Sequence, residues 1–416
     1  MRNVLAIMAV TLALPIAAPA QIVIGRSAPS GFPVPGTRCP AVESVDEVGE
    51  ALSGKLQAAD RDLRAARDLR LGAARDDEAA LERARTSYAS GLPRLNRRLL
   101  AARANERLAT IRADPALLAQ ALATVGSGLG AEDRRLSGPA RADLLAAADA
   151  TRAGLLLDQA GALGGSRGEA LLPEAERLFR AAAANAQARG DSEGAASLSR
   201  AADRTSLTIA IDAKAWDVAG RALDALVAGV DRAPDARQRR WARIDAAGGL
   251  VEFARSGAPV ALRRVAAERT LPLLAAAEAE LRDGDGRAPG LEARLDQLAG
   301  AVSGSWSVAV PQTAACSTVA RIATDRALAE LTLAGDAPAR AAALAGLEHA
   351  DAMLADVPDY RRGVLAPIAL ARAAAADGDR ATARRWFAET ERRAAHCFCT
   401  DLLAAATGER AALPRE

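Results

Sequence analysis

Residues 365–394, LAPIALARAAAADGDRATARRWFAETERRA, read as two amphipathic helices folded back across a short turn. Leu370, Ala371 and Ala374 fall at the i, i+1 and i+4 positions of one helical face, the spacing that buries a stripe against a neighbour. Gly378-Asp379 then interrupts the pattern: glycine accepts the left-handed conformation that ends a helix, and aspartate caps the next one. Ala383, Trp386 and Phe387 form the apolar stripe of the second helix. From about Ser137 the same alternation of helix, short polar turn and helix continues. Its turns fall at Gly161 to Gly168, Gly190-Asp191, Gly229 to Pro234, Gly257-Ala258-Pro259, Asp283 to Gly290 and Gly335-Asp336.

The composition agrees. Of 416 residues, 109 are alanine and 3% are aromatic. Such a chain is poor in the β-branched and aromatic residues that build sheets, and rich in Ala, Leu, Arg and Glu, which favour helix. Lys55 and Lys214 are the two lysines beside 52 arginines, and the two histidines are His349 and His396. That leaves little material for histidine-based catalysis or a polyhistidine metal site. The expectation is an all-α protein that is not an enzyme and carries no cofactor.

The pair at 365–394 resembles the tetratricopeptide repeat, in which a Leu followed by a small residue marks the first helix and Ala-x-x-x-Phe-x-x-Ala the second. The second-helix stripe recurs as Ala175-Phe179-Ala182, Ala219-Leu223-Leu226 and Ala343-Leu347-Ala350, with a partial copy at Ala261 and Val265. The anchor alanines 175, 219 and 261 are 44 and 42 residues apart, Ala343 follows after 82, and Ala383 after a further 40. These steps exceed the repeat's usual length of about 34, which describes a divergent member with longer helices. The copy missing near residue 302 coincides with Gln297 to Ala320, a stretch of 24 residues without a charge. The resemblance implies a right-handed α-solenoid of antiparallel helix pairs over 137–302 and 314–416, joined by a linker at 303–313. It also implies binding through a concave helical surface without chemistry.

Upstream, the spacing predicts a long helical hairpin region over 44–126. Ser44 and Glu47 form a capping box, and Val45, Leu52, Ala59 and Ala66 recur every seven residues. Gly91-Leu92-Pro93 breaks the returning arm, and Asp114-Pro115 with Gly126 frames one more helix. Residues 21–43, with Pro33, Pro35 and Pro40, read as an extended strap. Residues 1–20 read as a secretory signal: Arg2, an apolar run from Val4 to Leu14, and small residues ending at Ala20, where cleavage is expected. The run is too short to span a bilayer, so no membrane insertion is expected after cleavage. Without Arg2 the charge is +1, from 53 basic and 52 acidic residues, which argues against nucleic acid as a partner. Together with the arginine-over-lysine bias, these features point to a bacterial periplasm.

Four cysteines, Cys39, Cys316, Cys397 and Cys399, suggest disulfides in an exported chain. Cys397 and Cys399 are two residues apart, so a bond between them is expected to be strained. The favoured reading ties Cys316 to one of the pair and Cys39 to the C-terminal end. The alternative is a metal or thiol site from His396, Cys397 and Cys399, but one H-C-x-C run lacks a second ligand pair. Gly164-Gly165-Ser166-Arg167-Gly168 matches a nucleophile-elbow pattern but follows a helix, not a strand. Arg237, Arg239, Arg240 and Arg243 surround Trp241, and such forks beside an aromatic grip carboxylates or phosphates; the competing reading turns Trp241 into the core. The expected function is an exported scaffold for a protein or peptide partner in the cell envelope. The alternative is a structural protein that self-associates through its N-terminal hairpin.

Overall fold

The computed structural model describes residues 76–89, 94–126, 133–233, 235–284, 314–354 and 363–414, with single positions at 64–73 and 129. Among the described residues the chain is all-helical and holds no strand. The helices are α1 (Glu78–Ala89), α2 (Leu95–Arg112), α3 (Pro115–Val125), α4 (Gly138–Leu163), the single turn α5 (Gly165–Glu169), α6 (Leu172–Ala188), α7 (Ser192–Asp212) and α8 (Trp216–Asp231). They continue with α9 (Ala236–Arg255), α10 (Val260–Gly284), α11 (Ala314–Leu333), α12 (Ala337–Leu354), α13 (Leu365–Ala376), α14 (Arg380–His396) and α15 (Thr400–Ala412). No helix of the described residues is long and apolar enough to cross a membrane. The signal, the strap, most of the first hairpin arm and the 303–313 linker lie outside the described residues.

Helix starts follow the caps. Asp114, Asp191, Asp235 and Asp379 each accept a backbone N–H from the first turn of the helix that follows, at 2.7–3.0 Å. Each such contact satisfies one of the donors a helix start leaves open. Three breaks turn on a residue other than glycine: Ala113 at φ 51° between α2 and α3, Lys214 at φ 53° between α7 and α8, and Phe398 at φ 54° between α14 and α15.

Neighbours in sequence pack as neighbours in space, from α1 on α2 to α14 on α15. Helices α7, α9, α11 and α13 also touch one another at every second position, so they form one side of the array and α8, α10 and α12 the other. The alanines make this close packing possible: Ala153, Ala175, Ala182 and Ala202 are fully buried between α4, α6 and α7. The largest core joins Leu207, Leu223, Leu250, Phe253, Leu328, Leu347 and Leu370 across α7 to α13. Trp216 meets Phe253 edge-on, with ring centroids 6.1 Å apart.

Four of the five second-helix stripes face inward: Ala175, Ala219, Ala343 and Ala383 are at most 1% exposed, and Phe179, Leu223, Leu347 and Phe387 are buried with them. The fifth is turned outward. Ala261 is exposed and Val265 is 50% exposed, because α10 buries Ala266, Ala267, Thr270, Leu274 and Ala277 instead. The expected step from 219 to 261 therefore fails at α10, where a different face of the helix meets the core.

Candidate functional site

The last helices return to the first. Helix α14 packs on α2 and α15 on α4, and five consecutive residues make the seam. His396 Nδ1 lies 3.0 Å from the Thr110 carbonyl, and the Thr400 hydroxyl donates to the Gly161 carbonyl at 2.6 Å. Between them Phe398, 7% exposed, enters the N-terminal cluster of Leu95, Leu99, Leu118, Val125 and Leu155. Glycine is required at the receiving end: a Cβ at Gly161 would stand 2.7 Å from the Phe398 carbonyl oxygen, and one at Gly164 2.5 Å from the Thr400 hydroxyl. A carbon atom does not approach its neighbours that closely, so the seam and these glycines fit each other.

Cys397 and Cys399 bond each other, with Cα atoms 5.3 Å apart. This corrects the expected link from Cys316 to one of them, and with it the expected staple of Cys39 to the C-terminal end through that pair. The physical reason is Phe398, whose φ of 54° folds the chain back between the two cysteines and brings their Cα atoms within the usual disulfide range. Bonded sulfurs are not thiolate ligands, so the H-C-x-C metal reading loses its donors. Among the described residues no three or more His, Cys, Asp or Glu side chains are grouped to hold a metal ion. Cys39 lies outside the described residues, and Cys316 is placed in α11 by its backbone alone.

On the α7–α9–α11 side a row of charged side chains crosses three helices. Asp245 accepts from Arg200 at 3.2 Å and from Arg321 at 3.1 Å, and Arg200 also donates to Gln238 at 3.3 Å. One turn along, Arg204 and the Thr208 hydroxyl both donate to Glu252, at 3.0 and 3.3 Å. Burial by itself would raise the Asp245 carboxyl, but Arg321, Arg204 and Arg200 outweigh it and hold it below the usual range. Asp212, at the end of the row, has no such partner among the described residues; desolvation and then Glu169, Glu252 and Asp401 push it up to about 6. Arg255 goes the other way, brought down to about 10 by burial and then by Arg372. Near the seam, Glu106 is raised to about 7 by burial and then by Asp158, against the pull of Arg103 and Arg107.

The arginine cluster around Trp241 is divided by the helix that carries it. Arg237 is exposed and pairs with Glu193 at 3.7 Å. Arg239 is half-buried, Arg240 is 8% exposed, and Arg243 pairs with Glu280. Trp241 packs on Ile244, Leu274 and Ile322. Residues one apart on a helix point about 100° apart, so these five do not converge on one ligand. The charged row was missed in the sequence because its members lie 38 to 76 residues apart; its one local signal is the i, i+4, i+8 run of Arg200, Arg204 and Thr208 on α7.

Gly164 to Gly168 end α4 and form α5, so no strand presents Ser166 as a nucleophile elbow requires. His349 is half-buried on α12. Neither a comparison with family models nor one with curated proteins yields a match to this chain.

Proposed function

We propose that this chain is an exported, right-handed α-solenoid of antiparallel helix pairs, tetratricopeptide-like, which binds a protein or peptide segment in the bacterial cell envelope and performs no chemistry. The observation that carries this reading is the charged row on α7, α9 and α11. It is polar, ordered by ion pairs, and still reached by solvent: the Arg204 and Glu252 side chains keep 30% and 37% of their surface. A row of fixed donors and acceptors along one side of a helical array supports reading that side as an extended binding surface. The buried stripes at Ala175, Ala219, Ala343 and Ala383 support the repeat reading.

The test is crosslinking of the tagged mature form in the cell envelope, followed by affinity capture and mass spectrometry. One recurrent envelope partner is expected, and its capture is expected to fail for the Arg204→Ala/Glu252→Ala variant, which removes both members of a pair and leaves no orphaned charge. Recovery of this protein alone, or equal capture by a folded variant, refutes the proposal.

A further inference from the structure

By returning to the first helices, the C-terminal segment brings Asp401, at the start of α15, within electrostatic reach of Asp212 on α7 and Arg255 on α9. Glu169 on α5 acts on Asp212 as well, and Glu252 on α9 acts on both Asp212 and Arg255. Arg372 on α13 is the second guanidinium of the group. Part of this charge is already matched: Glu252 receives Arg204 and the Thr208 hydroxyl, and Arg372 grips Glu409 at 2.6–3.1 Å. The side chains of Asp212, Glu169, Asp401 and Arg255 make no hydrogen bond or ion pair among the described residues. Asp401 and Arg255, opposite in sign, nevertheless act on each other. Charges that attract without meeting stand on either side of a gap. Solvent reaches that gap, for Arg255 is half-buried and the three carboxylates are exposed.

A ligand of one sign suits half of this group and is repelled by the other half. A cation among the carboxylates relieves the repulsion that raises Asp212, and an anion at Arg255 offsets its burial and the push of Arg372, since an opposite charge nearby favours the charged form. We infer that the space between α7, α9 and α15 receives an internal segment of a partner protein that carries a basic residue beside an acidic one. Its Lys or Arg enters among Asp212, Glu169 and Asp401, and its Glu or Asp meets Arg255. The inference rests on the scaffold reading and specifies the partner's charge pattern. Contacts between charged groups are the strong hydrogen bonds, and matched signs at two adjacent points fix the register of a bound segment and turn away wrong partners.

The test uses the mature full chain and four fluorescein-labelled Gly-Ser peptides with Lys-Glu, Lys-Gln, Gln-Glu or Gln-Gln at their centre. Fluorescence anisotropy is expected to show saturable, salt-sensitive binding of the Lys-Glu peptide, weakened about tenfold by either single neutral replacement. Arg255→Gln is expected to bind the Lys-Glu and Lys-Gln peptides alike. Asp212→Asn/Asp401→Asn is expected to bind the Lys-Glu and Gln-Glu peptides alike. Circular dichroism reports whether these near-isosteric variants fold, and the parent chain decides by itself where one does not. Equal binding of the four peptides, no saturable binding, or variants that discriminate as the parent does overturn the inference. Lys-Gln bound as tightly as Lys-Glu makes the place a plain cation site and overturns it too. Displacement of the peptide by free glycine assigns the place to a small zwitterion, and self-association in sedimentation velocity, lost in the variants, assigns it to a second copy; each overturns it. An envelope partner still captured in full by folded Arg255→Gln and Asp212→Asn/Asp401→Asn rejects this place and leaves the scaffold reading standing. Binding of the Lys-Glu peptide without any captured envelope partner does the reverse.

Discussion

Replacing a helical glycine by alanine ordinarily stabilises a protein, and the seam reverses that sign at one position. Gly154 and Gly161 both lie in α4, two turns apart. A Cβ at Gly154 meets nothing within 4 Å, so Gly154→Ala gains the propensity difference, about 0.5–1 kcal/mol. At Gly161 the same gain is opposed by the Phe398 carbonyl oxygen, 2.7 Å from the new Cβ. Clearing that contact means retreat of the His396–Thr400 segment or of α4, and overpacking of this kind costs about 1–3 kcal/mol. The Thr400 to Gly161 hydrogen bond goes with it, a further contribution of about 1 kcal/mol. The net expectation for Gly161→Ala is a loss of roughly 1–3 kcal/mol. Urea unfolding followed by circular dichroism compares the two variants with the parent, and amide exchange reports locally on α15. Opposite shifts of the midpoint, with faster exchange in α15 for Gly161→Ala alone, are expected. If both variants gain stability equally, the C-terminal segment does not sit on α4 and the seam is wrong.

Glu106 gives a pH test. Its folded carboxyl is raised from 4.5 to about 7, so the folded state holds a proton that the unfolded chain releases, and stability falls as pH rises through that window. Thermal melts of Glu106→Gln are expected to match the parent at pH 4 and to exceed it at pH 8; a constant difference across both refutes the assignment. Asp351 and Arg393 are about nine-tenths buried and paired at 2.6 Å. Asp351→Ala leaves the guanidinium only Glu389 and the Gly363 carbonyl and is expected to cost roughly 1–3 kcal/mol in urea unfolding, with much of it recovered in Asp351→Leu/Arg393→Met. Reducing the Cys397–Cys399 bond opens a loop of three residues, worth about 1.5 kcal/mol by chain entropy. Exchange at α15 is expected to rise with the helical signal unchanged; an unaltered exchange pattern would mean that the bond plays no part in the seam.

The fold class was legible because alanine, leucine and arginine act locally. Asp114-Pro115, Gly190-Asp191 and Gly378-Asp379 mark helix limits within the few residues that set them. Lys214 was not legible, since nothing about a lysine announces a positive φ; the turn there is imposed by α7 and α8 packing on their neighbours. The outward face at Ala261 and Val265 was misread for a related reason. In a chain with so much alanine several registers of α10 offer an apolar stripe, and the contacts of Leu274 and Ala277 select among them. The seam lies further still from local rules, for it joins His396 to Thr110 across 286 residues. The arginines around Trp241 show the opposite error. Closeness in sequence suggested one patch, and the helical screw sends Arg237, Arg240 and Trp241 to different surroundings.

A stack of helices with two free ends can gain or lose a hairpin and remain a stack, since each unit meets its neighbours alone. In this chain the final turn has an address: Phe398 must arrive at the Leu95 and Leu155 cluster, and Thr400 at Gly161. An extra hairpin spliced between α8 and α13 would carry those residues past their places, and a deleted one would leave them short. The seam thereby fixes the number of helices between its two ends. The turns between helices can lengthen or shorten without disturbing the seam, whereas adding or removing a helical hairpin does disturb it.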